Sequence, residues 1–514
     1  MPDLTPTREL DALAQSYEAI PYPFYAHPES YLGRVEFLAK LFGLPSSLQS
    51  GARILEIGCA AGGNLIPMAY RFPHSSFVGI DLAKGQVEQA THDSHQLKIS
   101  NIRFLQGSFE HLNPDDGAFD YIIAHGVFSW LPAEKQRALL EKMRQLLHPH
   151  GVGYVSFNTY PGWASRMAVR QMLRFHLAPY QKAPFSEQIE HSRTLLTAVC
   201  AQLPSQSSPW RLACERVQEE LQHAPQSYLA HDLLEFENHP CFFVEFNDLL
   251  RQAGLRFLCD THLSGMDGIG LNRDTRGFID QYVGPDQIAR EQYFDFMVDR
   301  AYRAVLVTPI GAPVRKTLTE DAVPKDFFVV GRVATQAGGT LVHRDTATPI
   351  SLDDQYSQDV LVYLDSIFPA ATTVKNIEQN VPSLAPSGSE PRRYLLGLLV
   401  HLFARRMVDL TTTNPTQGVD ESAAAYPTVP VFIRYFAKRQ ERIPNLRHAT
   451  VTLPAELRQF AARLNGEVEP GQLIAELRGS SSEIAAALGT QDSSNQALEL
   501  LAELRRVEIL TPRN

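Results

Sequence analysis

Residues 54–64 read ILEIGCAAGGN. The stretch ILEI gives way to Gly58, then to small residues, then to Gly62 and Gly63. This pattern predicts a buried strand that breaks into a backbone turn opening a helix. Amide groups exposed in such a turn hold a nucleotide-like ligand. The glycine spacing fits two cofactor templates imperfectly, so the turn alone does not say which ligand it holds.

Working outward, four more strand-like runs follow in the first third: 75–81, 102–108, 119–126 and 151–160. They are rich in Ile, Val, Phe and Tyr, and most do not alternate cleanly, which predicts strands buried on both faces of a parallel sheet. Helix-like segments lie between them, such as AEKQRALLEKMRQLL with apolar residues at helical spacing. Strand alternating with helix predicts an α/β, doubly wound fold. The alternation stops at Trp163, becomes helical to about Glu237, and resumes with FNDLLRQAGLRFLCDTHL at 246–263. A last helix–strand pair ends near Pro309, which brings the sheet to seven strands. Residues 162–240 are therefore expected to be a helical insertion inside a first domain spanning 1–311.

The remaining chain changes character. FFVVGRV and TLVHR predict a hairpin around QAGG. Two Pro/Ser/Gly-rich stretches, NVPSLAPSGSEP and TTNPTQGVDESAAAYP, read as loops or linkers. YLLGLLVHLFARRMVDLTT and QALELLAELRRVEILTP form a faint repeat, each an amphipathic helix running through arginines into a short strand. Two α+β, winged-helix-like accessory units over 312–415 and 416–514 are expected.

Composition narrows the function. Hydrophobic residues make up 44% and charged residues 20%, ordinary for a globular chain, and the net charge is −10. An acidic total disfavours broad binding to nucleic acid or anionic membranes. The five cysteines form no CxxC pair, which suits a reducing cytoplasm. No run of about 18 apolar residues occurs, so membrane insertion is not expected.

Landmarks beyond the turn choose the cofactor. Gly58, Ala60 and Gly63 half-match the dinucleotide fingerprint. Glu56, Gly58, Ala60 and Gly62 match acid-x-G-x-G-x-G with alanine for the middle glycine, and so resemble the first motif of class I S-adenosylmethionine methyltransferases. Asp81 ends the second strand, where a carboxylate can accept from both ribose hydroxyls. GSF at 107–109 ends the third, and FDYIIAHG the fourth. Taken together these favour S-adenosyl-L-methionine over NAD. The strings YEAIPYPFYAHP, GCAAGGNLIPMAYRFP, GIDLAKGQ, YIIAHGVFSWLP and YVSFNTYPGW further resemble bacterial methyltransferases that carry a methyltransferase regulatory domain. Their best-known members are rickettsial protein lysine methyltransferases.

That resemblance implies a Rossmann-like methyltransferase that moves a methyl group to an amine, with a protein lysine as the acceptor. It also implies site residues. Gly58, Cys59, Ala60 and Gly62 would line the methionine and ribose side. Glu56 would fix the turn or bind the methionine ammonium, and Asp81 the ribose. Leu82, Ser108 and Phe109 would meet adenine, and Tyr17 and Tyr22 would fold over the donor. His125, after the fourth strand, reads as a general base or a pocket wall, or as a histidine bonded to loop backbone. Asn158 and Tyr160 are the other candidates for orienting the acceptor. Phe128, Trp130 and Trp163 could pack along a lysine stem or simply serve as core. His231, Asp232, Glu235, Glu237 and His239 crowd one stretch but match no metal motif, so no metal is expected; Glu235 is an acceptor-binding candidate. Two other functions stay open: a small-molecule N- or O-methyltransferase, and a DNA-binding regulator using Arg392, Arg393, Arg405 and Arg406.

Overall fold

The computed structural model describes residues 16–45, 48, 51–113, 117–204, 208–235, 237–266, 273–315, 318, 320–386, 390–416, 425–480 and 482–510. Parts of both linker stretches, 387–389 and 417–424, lie outside the described residues.

Seven strands make the main sheet: β1 (Arg53–Ile57), β2 (Ser76–Asp81), β3 (Ile102–Gln106), β4 (Phe119–Ala124), β5 (Leu147–Asn158), β6 (Leu255–Asp260) and β7 (Tyr302–Pro309). Their order is β3-β2-β1-β4-β5-β7-β6. β1 to β5 pair in parallel, while β7 runs antiparallel to both β5 and β6. Nearly every side chain of β1, β4 and β7 is buried, because helices cover both faces. The strand order reverses beside β1, so the chain leaves β1 and β4 in opposite directions and opens a crevice at their carboxyl ends.

The insertion leaves β5 and builds a core of its own. Helices Trp163–Leu177, Phe185–Gln202 and Pro209–His223 bury Val169, Leu173, Leu196, Cys214, Val217 and Leu221 against one another. A π-helical turn, Leu229–Leu234, returns the chain to the sheet. Arg170, fully buried, clamps that turn: its guanidinium donates to the carbonyls of Asp232, Leu233 and Glu235 at 2.7–2.8 Å.

In the C-terminal region β8 (Phe328–Gly331) is followed by the hairpin β9 (Val333–Thr335) and β10 (Leu341–His343), around the anticipated QAGG turn. β11 (Thr372–Thr373) and β12 (Val408–Thr411) flank β8 in an antiparallel sheet. The first repeat runs as read, helix Pro391–Ala404 into β12. The second does not. Helix Ser493–Arg506 ends in a turn, because Ile509 and Leu510 tuck into the core instead of extending. A last hairpin joins β13 (Arg442–Pro444) to β14 (Thr450–Thr452). One hydrophobic core continues from the main sheet into this region. Arg34, on the first long helix, bonds Asp409 of β12 at 3.0 Å. Among the described residues no helix is long and apolar enough to cross a membrane.

Candidate functional site

A cavity of about 700 Å³ opens over the carboxyl ends of the parallel strands, at the reversal beside β1. Its floor is the turn after β1. Gly58 has φ 74°, a left-handed conformation that side chains disfavour, and an added Cβ there would lie 2.6 Å from Val127 Cγ2. Ala60 is also left-handed, at φ 45°, which costs a non-glycine residue about 1–2 kcal/mol. Its amide is held by Asp81 Oδ2 at 2.8 Å, while Asp81 Oδ1 accepts from Ala83 N at 2.9 Å. Leu82 N also bonds the carboxylate, which with about four lone-pair sites can brace the turn and still accept from a ligand hydroxyl. Burial raises its carboxyl above the ordinary range, against the lowering by these backbone amides.

Glu56 is buried at the end of β1. Oε1 accepts from Asn64 Nδ2 at 2.7 Å, whereas Oε2 is buried without a hydrogen-bond partner. Burial pushes its carboxyl up to about 8, outweighing the lowering by Asn64. A cation beside Oε2 would reverse that shift. Leu82, Ser108 and Phe109 line the end beyond Asp81. Ser108 Oγ is turned to the short helix Phe109–His111, accepting from Glu110 N at 3.3 Å.

Residues 16–27 lie across the cavity as a strap. Tyr17, Tyr22, Pro23, Phe24, Tyr25 and His27 line it. Gly63 lets the strap approach: a Cβ there would sit 2.6 Å from Tyr25 N and 2.7 Å from Tyr25 O. The insertion grips the strap from the other side. Ser16 Oγ donates to Glu235 at 2.9 Å, Tyr22 Oη to Asp232 at 3.1 Å, and His231 Nε2 to Ile20 O at 2.6 Å. Tyr17 stacks on His231 with ring centroids 4.3 Å apart.

His125 lines the wall and stacks on His27 at a centroid distance of 3.5 Å. Its Nδ1 is 2.9 Å from Tyr154 Oη, and Tyr302 is hydrogen-bonded to both Tyr154 and Ser156. Burial, with His27 adding to it, holds His125 well below the ordinary histidine range, so it is neutral at pH 7. Asn158 and Trp130 line the cavity as well, with Trp163, Arg166, Tyr228 and Asp232 contributed by the insertion.

The other anticipated positions are spent elsewhere. Phe128 is fully buried, its ring 5.2 Å from Phe246, so it is core and not a cavity wall. Tyr160 packs on Phe242, away from the cavity lining. Gly62 does not line the cavity either; its left-handed φ of 76° favours glycine, and a side chain there would meet Ile66 and Phe104 between helix and sheet. Glu235 holds the strap, and its neighbour Asp232 faces the cavity instead. Cys59 is buried with its thiol pushed far up by desolvation, and is inert at neutral pH. Arg392 is paired with Glu378 at 2.9 Å. Sequence reading missed His27, Asn64, Arg166, Tyr228 and Tyr302, which come from a loop start, a helix cap or segments remote in sequence.

The lining chemistry fits a cationic donor. Glu56, Asp81 and Asp232 all line the cavity, and Arg166, the one arginine among its described lining residues, is committed to Glu220 at 2.7 Å. Among the described lining residues, the pyrophosphate of a dinucleotide would face Asp81 and Asp232 with Arg166 already paired. A molecule carrying an ammonium, ribose hydroxyls and an adenine finds an unpartnered buried Glu56 oxygen, the Asp81 carboxylate and the Leu82–Phe109 end.

Comparison with known proteins agrees. A family model described as a methyltransferase domain matches residues 54–151, and one described as a predicted methyltransferase regulatory domain matches 225–308. The second match takes in β6 and β7, so that segment completes the sheet. The uncharacterized protein RP028 of Rickettsia prowazekii is 31% identical over 243 residues, 47% of this chain and 96% of the relative. RP789 of the same organism, also uncharacterized, is 33% identical over 310 residues, 60% of this chain; the chain spans just over half, 55%, of that relative. In fold, the chain is similar to PKMT2 from Rickettsia typhi, solved in complex with AdoHcy, with a TM-score of 0.81 at 23% identity over 95% of this chain and all of that one. The acid-lined cavity at the sheet's reversal, the two matched regions and these relatives lead to one assignment: the chain belongs to the S-adenosylmethionine-dependent methyltransferases that carry a methyltransferase regulatory domain.

Proposed function

We propose that the acceptor is an amine, the side chain of a protein lysine, and that the insertion supplies its binding site. The observation that carries this reading is Asp232, a carboxylate on the insertion side of the cavity, set among the rings of Tyr17, Tyr22, Trp130, Trp163 and Tyr228. Aromatic faces and one acid suit an aliphatic stem that ends in a cation. When bound, S-adenosylmethionine supplies an electrophilic methyl group on a cationic sulfur; the C–S bond breaks as the N–C bond forms, and sulfur keeps the electron pair. Glu56 is assigned to the donor's ammonium, Asp81 to its ribose, and Leu82, Ser108 and Phe109 to its adenine. The strap and the insertion align the acceptor and exclude water. Asp232 attracts the arriving ammonium. Its carboxyl, raised by burial to about 6 despite the hydrogen bond from Tyr22, takes up the proton that the nitrogen must lose. His125, neutral and tied to Tyr154, shapes the wall beside the methyl group, with Asn158 at its margin. We further propose that 1–311 forms the transferase unit, that 312–415 and 416–514 are accessory, and that the protein works in the cytoplasm, where its five free thiols persist.

The test uses radiolabelled donor with cell lysate, sorted into protein and small-molecule fractions, followed by Asp232→Asn. Label should enter protein at lysine, and Asp232→Asn should raise the acceptor KM roughly tenfold, the typical loss of one charged hydrogen bond, and lower kcat through loss of the base, while sparing donor affinity. Label confined to the small-molecule fraction would overturn the lysine reading.

A further inference from the structure

The hairpin β13–β14 comes from the far end of the sequence, yet it reaches the donor site. Arg442 Nη1 donates to Tyr25 Oη at 2.6 Å, and Thr450 Oγ1 accepts from Ala26 N at 2.8 Å, so both ends of the hairpin hold the strap. Between them His448, fully buried and left-handed at φ 61°, places Nε2 2.7 Å from Asn64 Oδ1. The same oxygen is approached by His27 N and Ser30 Oγ, each at 3.1 Å. An amide oxygen occupied by donors fixes which way the amide faces. Asn64 must therefore turn Nδ2 toward Glu56 Oε1, and the other Glu56 oxygen, Oε2, is the one left unpartnered.

We propose that His448 is a positioning residue of the donor site, acting from the C-terminal region through Asn64 to hold Glu56 Oε2 toward the donor's ammonium. This rests on the reading that Glu56 meets that ammonium. His448 is suited to the task because its Nδ1 has no partner and burial, with Arg71 nearby, keeps the ring neutral, leaving the proton on Nε2. The arrangement makes the C-terminal region part of donor binding, and coupling of this kind is reciprocal.

Two full-length variants separate positioning from bulk. His448→Asn tolerates the left-handed backbone but is too short to reach Asn64, whereas His448→Gln puts an amide N–H where Nε2 lies. In calorimetry with S-adenosylmethionine between pH 6 and 9, His448→Asn should weaken binding about tenfold, the size of one buried hydrogen bond. It should also move the pH midpoint of binding upward, since Glu56 loses the contact that lowers its pKa. His448→Gln should restore both to within about threefold. Equal weakening by both variants with an unmoved midpoint would reduce His448 to packing and overturn the proposal, as would wild-type binding by a folded His448→Asn. Glu56→Gln run alongside tells the two readings apart: if it binds as wild type with an unchanged pH profile, the placement of the ammonium fails and the relay with it. Should His448→Asn not fold, hydrogen exchange on the unmodified chain decides. Donor should slow exchange across 445–452, and protection of 58–63 without any there would overturn the proposal.

Discussion

Glu56 offers the most direct test of the donor site, because its predicament is electrostatic and leaves a pH signature. In the free protein burial raises its carboxyl to about 8, so at pH 7 it is mostly protonated. An ammonium docking on Oε2 favours the ionised form, and binding below pH 8 must therefore release a proton. Each unit below 8 costs about 1.4 kcal/mol, so affinity should rise roughly tenfold per unit from pH 6 to 8. Above pH 8 the donor's own α-amino group, with a reference pKa of about 7.7–8.0, starts to deprotonate, which sets the optimum near pH 8. The free protein obeys the opposite sign: its folded carboxyl holds a proton that the unfolded chain has released, so stability falls as pH climbs from about 4.5 toward 8. Calorimetry in two buffers of different ionisation enthalpy counts the released proton. Glu56→Gln should abolish the slope and lower affinity at pH 8 by about ten- to a hundredfold, the typical worth of a charged hydrogen bond. A slope that is flat between pH 6 and 8, with no proton released, would refute the pairing.

Asp81→Ala removes the proposed ribose acceptor and the brace on Ala60 together, so donor affinity should drop at least tenfold; unchanged affinity by calorimetry would mean that the turn holds something else. Gly63→Ala drives a methyl group into the Tyr25 backbone, and should speed hydrogen exchange at residues 20–27 and weaken donor binding while the sheet stays folded. Exchange rates equal to wild type would show that the strap is not seated on the turn. Arg170→Leu orphans the carbonyls of Asp232, Leu233 and Glu235 at the end of the π-turn, a loss of about 3 kcal/mol, and should lower the melting temperature by several degrees. An unaltered melt would show that the clamp contributes little.

Much of the cavity floor was legible because each of its residues stands where a buried apolar run ends: Glu56 near the end of β1 and Gly58 just after it, Asp81 at the end of β2, Ser108 past β3, His125 past β4. In a parallel sheet those ends share one edge, so four separate runs point to one place without any knowledge of packing. The misreadings are of another kind. Glycine spacing cannot tell a cavity-facing residue from one that seats a helix, and Gly62 proved to seat Ile66 and Phe104. Within the short turn Phe128–Trp130 no helical or strand period tells which ring faces the core, and Phe128 and Trp130 went opposite ways. His231 and Glu235 do meet, 3.7 Å apart as their spacing implies, but Glu235 is taken up by Ser16 of the strap, and it is Asp232, next to His231 in the chain, that faces the cavity. His27, Tyr302 and His448 carry no local signal, because the contacts that give them meaning join the strap, β7 and the last hairpin. The difference follows from how each half is built. The cavity floor is built from strand ends that one sheet edge brings together; its roof is assembled from a strap, an insertion and a distant hairpin whose partners are set only by folding.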